Sequence, residues 1–287
     1  MNTSLDPRLN AWRADLADRE LIGKVEATRF VSGEPAVIGV PVANIHREPF
    51  GVSGMDTQFL FGDTVAVFER SGGWAWVQGG RDGYVGYVVE DSLLPAGAAP
   101  THRVTAFSTF VYPGPDLKRP PLSALSIGSC VTVTGKSPHR KKGYLLLADG
   151  SAVFASHLAP LGEDAADWVA VAEQFLHTPY LWAGTSAFGV DCSGLVQLAM
   201  YAAGRNVLRD TYMQEESIGD GLPMRGGMPA LRRGDLVFWK GHVGVMTDSE
   251  NLLHANGNTM TVAREPLDAA IARIAPAYGS PTSVRRP

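Results

Sequence analysis

The chemistry-bearing residues of this sequence are one cysteine and two histidines in its C-terminal part. Cys192 lies in the stretch FGVDCSGLVQ, His242 in KGHVGVM and His254 in NLLHANG. A thiolate is a nucleophile, an imidazole is a base near neutral pH, and a second polar ring can hold the first in one tautomer. These residue types indicate nucleophilic catalysis at a carbonyl, provided that the fold brings them together.

The residues after Cys192 predict a helix that begins at the cysteine. The stretch CSGLVQLAMYAAG has helical character and stops at Gly204, a residue suited to the position after a helix. Backbone N–H groups and the positive end of the helix dipole would lower the pKa of a thiol placed there. A single cysteine is more often a small buried hydrophobe, so position alone does not decide its role.

The two histidines fall on predicted neighbouring strands. The segments 242–247 and 251–257 read as antiparallel strands joined by a short turn, which would place the two rings side by side. For either histidine alone, a strand residue bonded to the backbone is the simpler interpretation. A metal site of His242, His254 and Asp191 is the less favoured alternative, because no close HxxxH or CxxC spacing supports it. We therefore expect no metal and no cofactor.

The region from about residue 161 to 287 predicts an α+β domain. A helix over 164–176, capped by Asp164, precedes the helix at Cys192, and short strands follow at 235–240 and 259–265 in addition to the histidine strands. Helices that come first and strands that follow favour helices packed on an antiparallel sheet. Such a packing would bring the helix start and the histidines together.

The region before residue 161 predicts strands and turns after a short helical lead-in at 1–27. It contains a weak internal repeat, in which FLFGDTVAV aligns with LSIGSCVTV. Two small β-barrels fit this pattern, at 28–97 and 98–160, joined by the linker PAGAAP. Both copies resemble bacterial SH3 domains.

Bulk composition excludes several classes of function. The chain has 287 residues and a formal charge of −4, which gives no support for nucleic-acid binding or for binding an anionic membrane. No apolar run approaches the ~20 residues of a membrane span, and no secretory signal is visible, so a cytoplasmic location is expected. Two cysteines do not make a disulfide framework. Nothing in the sequence indicates an oligomeric state.

Four motifs, in this order and spacing, resemble the NlpC family of papain-like cell-wall cysteine peptidases: PYLWAGTSAFGVDCSGLVQ, RRGDLVFW, GHVGV and LLHANG. The resemblance implies a papain-like catalytic domain that follows the two SH3-like barrels. It also implies that Cys192 is the nucleophile, His242 the general base and His254 the residue that orients the base. Tyr180, in PYLW, corresponds to a tyrosine beside the thiol near the oxyanion.

The tandem barrels and the later stretch RDTYMQ resemble one group within that family, the γ-D-glutamyl-L-diamino acid endopeptidases. The resemblance implies peptidoglycan-derived peptides with a free N-terminal L-alanine, such as L-Ala-γ-D-Glu-diaminopimelate, as substrates. It also implies acids and a tyrosine at the substrate ammonium. Two candidates depart from the family pattern, because Asp63 replaces a longer Glu and Thr211 replaces Ser. The candidate substrate-binding residues are Asp63, Tyr84, Trp182, Asp191, Ser193, Asp210 and Thr211.

Two other functions compete with murein-peptide recycling. A hydrolase that acts outside the cell on intact wall could use the SH3 pair as a wall anchor. A catalytically dead module could bind wall peptides without cutting them. The intact Cys/His/His set counts against the dead module.

Overall fold

The computed structural model describes residues 5–137, 143–224 and 226–287. The chain divides into two compact units, Met1–Leu161 and Gly162–Pro287. The first unit contains strands and short 3-10 turns, and the second contains helices and a sheet. No helix within these described ranges is long and apolar enough to cross a membrane. The domain boundaries predicted at residues 27 and 97 lie inside the first unit and stay predictions.

The N-terminal segment corrects one expectation. The helical lead-in predicted for residues 1–27 is wrong from residue 5 onward, where the chain forms strand β1 (Leu16–Asp18) and a 3-10 turn at Arg19–Leu21. Strand β1 pairs in parallel with β2 (Arg29–Val31). Residues 1–4 lie outside the described part of the chain.

Burial against the strands that follow explains why this segment is not helical. Leu16 is fully buried in an apolar cluster with Phe68 and Trp76. The guanidinium of Arg13 lies 4.4 Å from the Trp76 ring centroid and forms an ion pair of 2.6 Å with Glu69. These tertiary contacts outweigh the helical spacing of the apolar residues, because helix propensity is a weak preference that packing overrides.

One sheet forms the first half of this unit, in the order β5-β4-β8-β7-β6-β3-β9. All its pairs are antiparallel. Its strands are β3 (Glu34–Ile38), β4 (Val42–His46), β5 (Met55–Leu60), β6 (Thr64–Ser71), β7 (Trp74–Gly79), β8 (Val85–Val89) and β9 (Leu93–Pro95).

The second half of the unit repeats this pairing. Strand β10 pairs with β13 and β17 as β3 does with β6 and β9, and β11 pairs with β12 and β16 as β4 does with β5 and β8. The internal repeat seen in the sequence is therefore present as repeated topology. The strands are β10 (His102–Val104), β11 (Ser108–Tyr112), β12 (Ser123–Ser126), β13 (Cys130–Val131), β14 (Val133–Ser137), β15 (Tyr144–Leu147), β16 (Ala152–Phe154) and β17 (Leu158–Pro160).

The two halves meet closely at Gly62. This residue has a φ of +81°, and a Cβ atom there would clash with the backbone carbonyl of Cys130. Beside it, the N–H of Cys130 donates a hydrogen bond of 2.8 Å to the carbonyl oxygen of Phe61. Only glycine fits both the left-handed backbone and the close approach.

The second unit is built around a six-stranded antiparallel sheet in the order β20-β25-β21-β22-β23-β24, with a separate pair formed by β18 and β19. Helix α2 packs on α1, β22 and β23, and α4 packs on β23 and β24. The elements are α1 (Trp168–Glu173), β18 (Thr185–Ser186), β19 (Gly189–Val190), α2 (Cys192–Ala202), α3 (Thr211–Ser217), β20 (Asp220–Leu222), β21 (Leu236–Trp239), β22 (His242–Met246), β23 (Asn251–Asn256), β24 (Thr261–Pro266), α4 (Leu267–Tyr278) and β25 (Ser283–Arg286).

The helix that begins at Cys192 is the centre of this unit. All of α2 except Tyr201 is buried, as expected for a helix enclosed by other elements. Its end matches the prediction, because Gly204 follows it with a φ of +73°. Helix α1 begins later than predicted, since Asp167 rather than Asp164 accepts from the N–H groups of its first turn. The N–H of Ala165 bonds instead to the end of α2.

We expect Gly62→Ala to destabilise the first unit by about 1–3 kcal/mol more than Gly73→Ala. Both glycines have a φ near +80°, so both alanine variants carry the left-handed penalty of about 1 kcal/mol. Only position 62 lacks space for a Cβ, because position 73 has no atom within 4 Å. Urea unfolding of the two variants measures the difference. Equal unfolding free energies would show that the chain around Gly62 can move away from Cys130 without loss of stability.

Candidate active site

Cys192 begins α2 because Asp191 caps the helix. The Asp191 backbone is extended, and its Oδ1 accepts a hydrogen bond of 2.7 Å from the N–H of Gly194. Glycine is required at position 194, where a Cβ would clash with the carbonyl oxygen of Gly184. The thiol therefore lies in the buried first turn of a helix, and Cys192 is 7% exposed.

A buried ion pair fixes this helix start. The Arg209 guanidinium donates to both carboxylate oxygens of Asp191, at 2.7 and 3.1 Å, and to Ser193 Oγ at 2.8 Å. Arg209 is 1% exposed. Sequence reasoning missed Arg209, although a buried carboxylate at a helix start requires a cationic partner. Because these contacts occupy Asp191 and Ser193, the structure gives the two residues a role in holding the turn, and their predicted contact with substrate stays a prediction.

The sulfur of Cys192 has two polar neighbours from other elements. Thr211 Oγ1 lies 3.8 Å from Sγ, and the backbone N–H of Val243 donates to the sulfur. Thr211 is the first residue of α3, and half-buried Asp210 precedes it directly. Val243 follows His242 in β22. The structure therefore brings Cys192, Thr211 and the start of the histidine strand together.

The acidity of the thiol contradicts the expectation of a lowered pKa. Burial, followed by the negative charge of Asp191, raises the pKa of Cys192 to about 11. The bonds from Val243 and Thr211 and the charge of Arg209 act in the opposite direction but do not outweigh burial. Enclosing a thiol penalises its charged form more than a helix N-terminus favours it.

The two histidines lie side by side on neighbouring strands, as their spacing predicts. His242 Nε2 and His254 Nδ1 are 2.8 Å apart, and the ring centroids are 5.0 Å apart. His254 is fully buried, and its Nε2 lies 2.8 Å from Glu265 Oε1 on β24. Glu265 also forms an ion pair with Arg273 of α4. Sequence reasoning missed both Glu265 and Arg273.

Burial also decides the charge of the base. Desolvation, the neighbouring His254 and the charge of Arg273 lower the pKa of His242 to about 3. Burial lowers the pKa of His254 as well, although Glu265 opposes this effect. At neutral pH the site therefore holds a neutral thiol and two neutral imidazoles.

Tyr180 and Trp182 lie in the segment that precedes β18. The N–H of Tyr180 donates to the carbonyl of Met260, and the residue bridges to Val190. Burial, then the charges of Cys192 and Asp191, raise the pKa of the Tyr180 phenol, which stays protonated and able to donate at neutral pH. Trp182 is 70% exposed, and its predicted contact with substrate stays a prediction.

Two candidates in the first unit are engaged by their own surroundings. The Asp63 carboxylate accepts a hydrogen bond of 2.8 Å from the N–H of Leu60 and one of 2.6 Å from the guanidinium of Arg81. Asp63 is 7% exposed. Tyr84 is 1% exposed. The contact of each residue with a substrate ammonium stays a prediction.

Within the described ranges, no group of three or more His, Cys, Asp or Glu side chains is arranged to hold a metal ion. A cysteine at the start of a buried helix, next to the strand that carries one of two paired histidines, has the residue types that nucleophilic catalysis by a thiol and an imidazole requires.

Comparisons with known proteins agree with this class. Residues 177–273 match the NlpC/P60 family, and residues 45–93 match the bacterial dipeptidyl-peptidase SH3 domain. The second unit thus resembles an NlpC/P60 domain, and part of the first unit resembles a bacterial dipeptidyl-peptidase SH3 domain.

Relatives with both regions occur in Bacillus. The γ-D-glutamyl-L-lysine dipeptidyl-peptidase of Bacillus cereus is 27% identical over 75% of this chain and 71% of its own length. The Bacillus subtilis protein of the same name is 29% identical over 70% of this chain and 72% of its own length. The crystal structure of an NlpC/P60 family protein from Bacillus cereus covers 88% of this chain and 99% of its own, at 23% identity and a TM-score of 0.72, which shows a shared fold.

We expect alkylation of Cys192 by iodoacetamide to rise about tenfold per pH unit between about pH 7 and 9, because only the thiolate reacts. A pKa of about 11 keeps the thiolate a minor species throughout that range. Mass spectrometry of the labelled peptide separates Cys192 from Cys130. A rate that is constant between about pH 5 and 8 would instead indicate a preformed thiolate–imidazolium pair.

Proposed function

We propose that this protein is a cysteine endopeptidase that hydrolyses the γ-D-glutamyl–diamino acid bond of short peptidoglycan stem peptides. The observation that carries the proposal is the Cys192 thiol beside β22, whose first residue, His242, is bonded to His254. The relatives named γ-D-glutamyl-L-lysine dipeptidyl-peptidase support the choice of bond, because they match both units of the chain.

In the proposed mechanism the thiol loses its proton as it attacks. His242 accepts the proton while the sulfur of Cys192 forms a bond to the γ-glutamyl carbonyl carbon. The backbone N–H of Cys192 and the protonated phenol of Tyr180 donate to the developing oxyanion. His242 returns the proton to the departing amine of the diamino acid, which leaves a thioester.

Water then completes the reaction. His242 removes a proton from a water molecule that attacks the thioester carbonyl, and the proton passes to the departing sulfur. The neutral resting state suits both steps, since an imidazole with a lowered pKa is unprotonated and available as a base. The products are L-Ala-γ-D-Glu and the diamino acid portion of the peptide.

A free N-terminal L-alanine completes the proposed substrate. Asp210 directly precedes Thr211, whose hydroxyl contacts the thiol. A carboxylate is therefore the chain neighbour of a residue that touches the nucleophile. Asp210 is half-buried, and a partly desolvated carboxylate favours an ammonium over a neutral N-acylated group. This selectivity would restrict the enzyme to released peptides and fits murein-peptide recycling. The cytoplasmic location that recycling implies stays a prediction.

We expect Cys192→Ala to abolish cleavage of L-Ala-γ-D-Glu-L-Lys and of the diaminopimelate analogue without loss of fold. The matched control is Cys130→Ala, which removes the other buried thiol in the first unit and leaves the rate within about twofold. Cleavage is followed by mass spectrometry. Retained activity in the Cys192 variant would show that the mechanism is wrong.

We expect the unmodified peptides to be cut at least about tenfold faster than the same peptides acetylated at the alanine amine. A loss of this size corresponds to about 1.4 kcal/mol of differential binding. Asp210→Asn should reduce the preference because it removes the charge that the ammonium requires. Equal rates on both substrates would favour the alternative enzyme, a hydrolase of intact wall.

A further inference from the structure

Behind the histidine pair lies a carboxylate that no peptidase motif marks. On β23 and β24, His254 pairs with Ala263, so Glu265 stands diagonally across from His254 on the same face of the sheet. Glu265 Oε1 lies 2.8 Å from His254 Nε2 and also accepts a hydrogen bond from the Arg273 guanidinium. The four side chains form one continuous chain: His242, His254, Glu265 and Arg273.

When the carboxylate is ionised and both rings are neutral, the hydrogen bonds allow only one placement of the two ring protons. Burial alone would raise the pKa of Glu265, but the bonds from Arg273 and His254 lower it overall, so the group is an anion at neutral pH. An ionised carboxylate only accepts hydrogen bonds, so His254 Nε2 carries a proton. A neutral His254 then has a bare Nδ1, which accepts from a proton on His242 Nε2.

The remaining ring nitrogen of His242, Nδ1, is left with its lone pair. We propose that Glu265, held by Arg273, is a positioning residue that sets the tautomer of both histidines and so keeps His242 Nδ1 unprotonated as the base. This inference rests on the proposed function only in assigning His242 as the base toward Cys192. The tautomers themselves do not depend on the substrate.

Arg273 is required because it keeps His254 neutral. Glu265 by itself attracts a proton to His254, and Arg273 opposes that effect by its charge. A protonated His254 would donate from Nδ1 to His242 Nε2 and leave the proton of His242 on Nδ1. The charged groups that face the pair, Glu265 from β24 and Arg273 from α4, therefore favour two neutral rings with both protons on Nε2.

Glu265→Leu removes the acceptor at His254 Nε2 and keeps a side chain of similar size. Both contacts of Glu265 fall on the same oxygen, Oε1, so Glu265→Gln can keep its amide oxygen there and preserve the arrangement. In Glu265→Leu, Arg273 can only donate toward His254, so Nε2 is left without its proton and His254 donates from Nδ1. The proton of His242 then lies on Nδ1, and the base is blocked, although no residue that touches the thiol has changed.

The experiment combines tautomer measurement with kinetics on the full chain. Ring ¹⁵N NMR of histidine-labelled protein, assigned with His242→Gln and His254→Gln, should show Nε2–H for both rings in the unaltered protein and in Glu265→Gln, and Nδ1–H for both in Glu265→Leu. In Glu265→Leu the kcat for L-Ala-γ-D-Glu-L-Lys should fall by about 10²–10⁴-fold with KM within about threefold. The rate of Cys192 alkylation should rise instead, because only the thiolate reacts and an Nδ1–H on His242 stabilises it. This readout needs no peptide substrate.

Arg264→Leu is the matched control, since it replaces a charged side chain by leucine one position earlier on β24. It removes an exposed ion pair with Asp248 and should leave tautomers, kcat and alkylation unchanged. An Nδ1–H tautomer on either ring of the unaltered protein would overturn the proposal without any variant. A kcat in Glu265→Leu no lower than in Arg264→Leu would overturn it too. If the NMR and alkylation results hold but no stem peptide is cut, the proposed substrate alone is wrong.

Discussion

The buried ion pair between Asp191 and Arg209 is the constraint on which the peptidase unit depends. Asp191 both caps α2 and pairs with Arg209, so a single carboxylate fixes where the helix begins and which residue occupies its first turn. Arg209 in turn binds Ser193 and draws the segment after α2 back over the helix start. Thr211, two residues after Arg209, thereby reaches the thiol. Because removal of either partner would leave a buried charge unpaired, this arrangement has little freedom to relax.

The same burial determines how the nucleophile must work. Asp191 stands next to Cys192 and disfavours the thiolate, and Arg209 offsets this effect only in part. A raised pKa of the thiol and a lowered pKa of His242 both favour a neutral thiol and a neutral imidazole over a thiolate–imidazolium pair. Proton transfer must accompany attack on the carbonyl, so catalysis depends on a base whose lone pair is correctly placed. The tautomer of His242 consequently matters more here than in a site where the ion pair is already formed.

Residues that carry chemistry could be predicted from the sequence, whereas residues that hold them could not. Cys192, His242 and His254 stand in motifs of fixed order, and strand alternation is enough to place the two rings together. Arg209, Glu265 and Arg273 are ordinary charged residues in sequence, and only the folded chain shows which of many carboxylates each arginine meets. Two predictions are wrong for one reason: the helix expected from residue 5 to residue 27, and the lowered pKa expected for Cys192. Both depend on tertiary contacts that bury these residues, and the order of residues near them does not show those contacts. Motif position suggests Asp63 and Tyr84 as substrate contacts, but it does not reveal that Asp63 pairs with Arg81 or that Tyr84 is buried.

Helix α4 shows how a segment without any chemical motif can govern the site. Its apolar face, through Leu267, Ala270 and Ile274, packs in a cluster with residues of the central sheet. That packing sets the height and rotation of the helix, and so determines where Arg273 meets Glu265 beside β24. The burial of apolar side chains has no directional preference, but it fixes α4 in one position. In that position the Arg273 guanidinium can make a directional hydrogen bond to the Glu265 carboxylate. The position of one proton on His242 is thus linked through two strands to the packing of the C-terminal helix, which extends the active site well beyond the residues that touch sulfur.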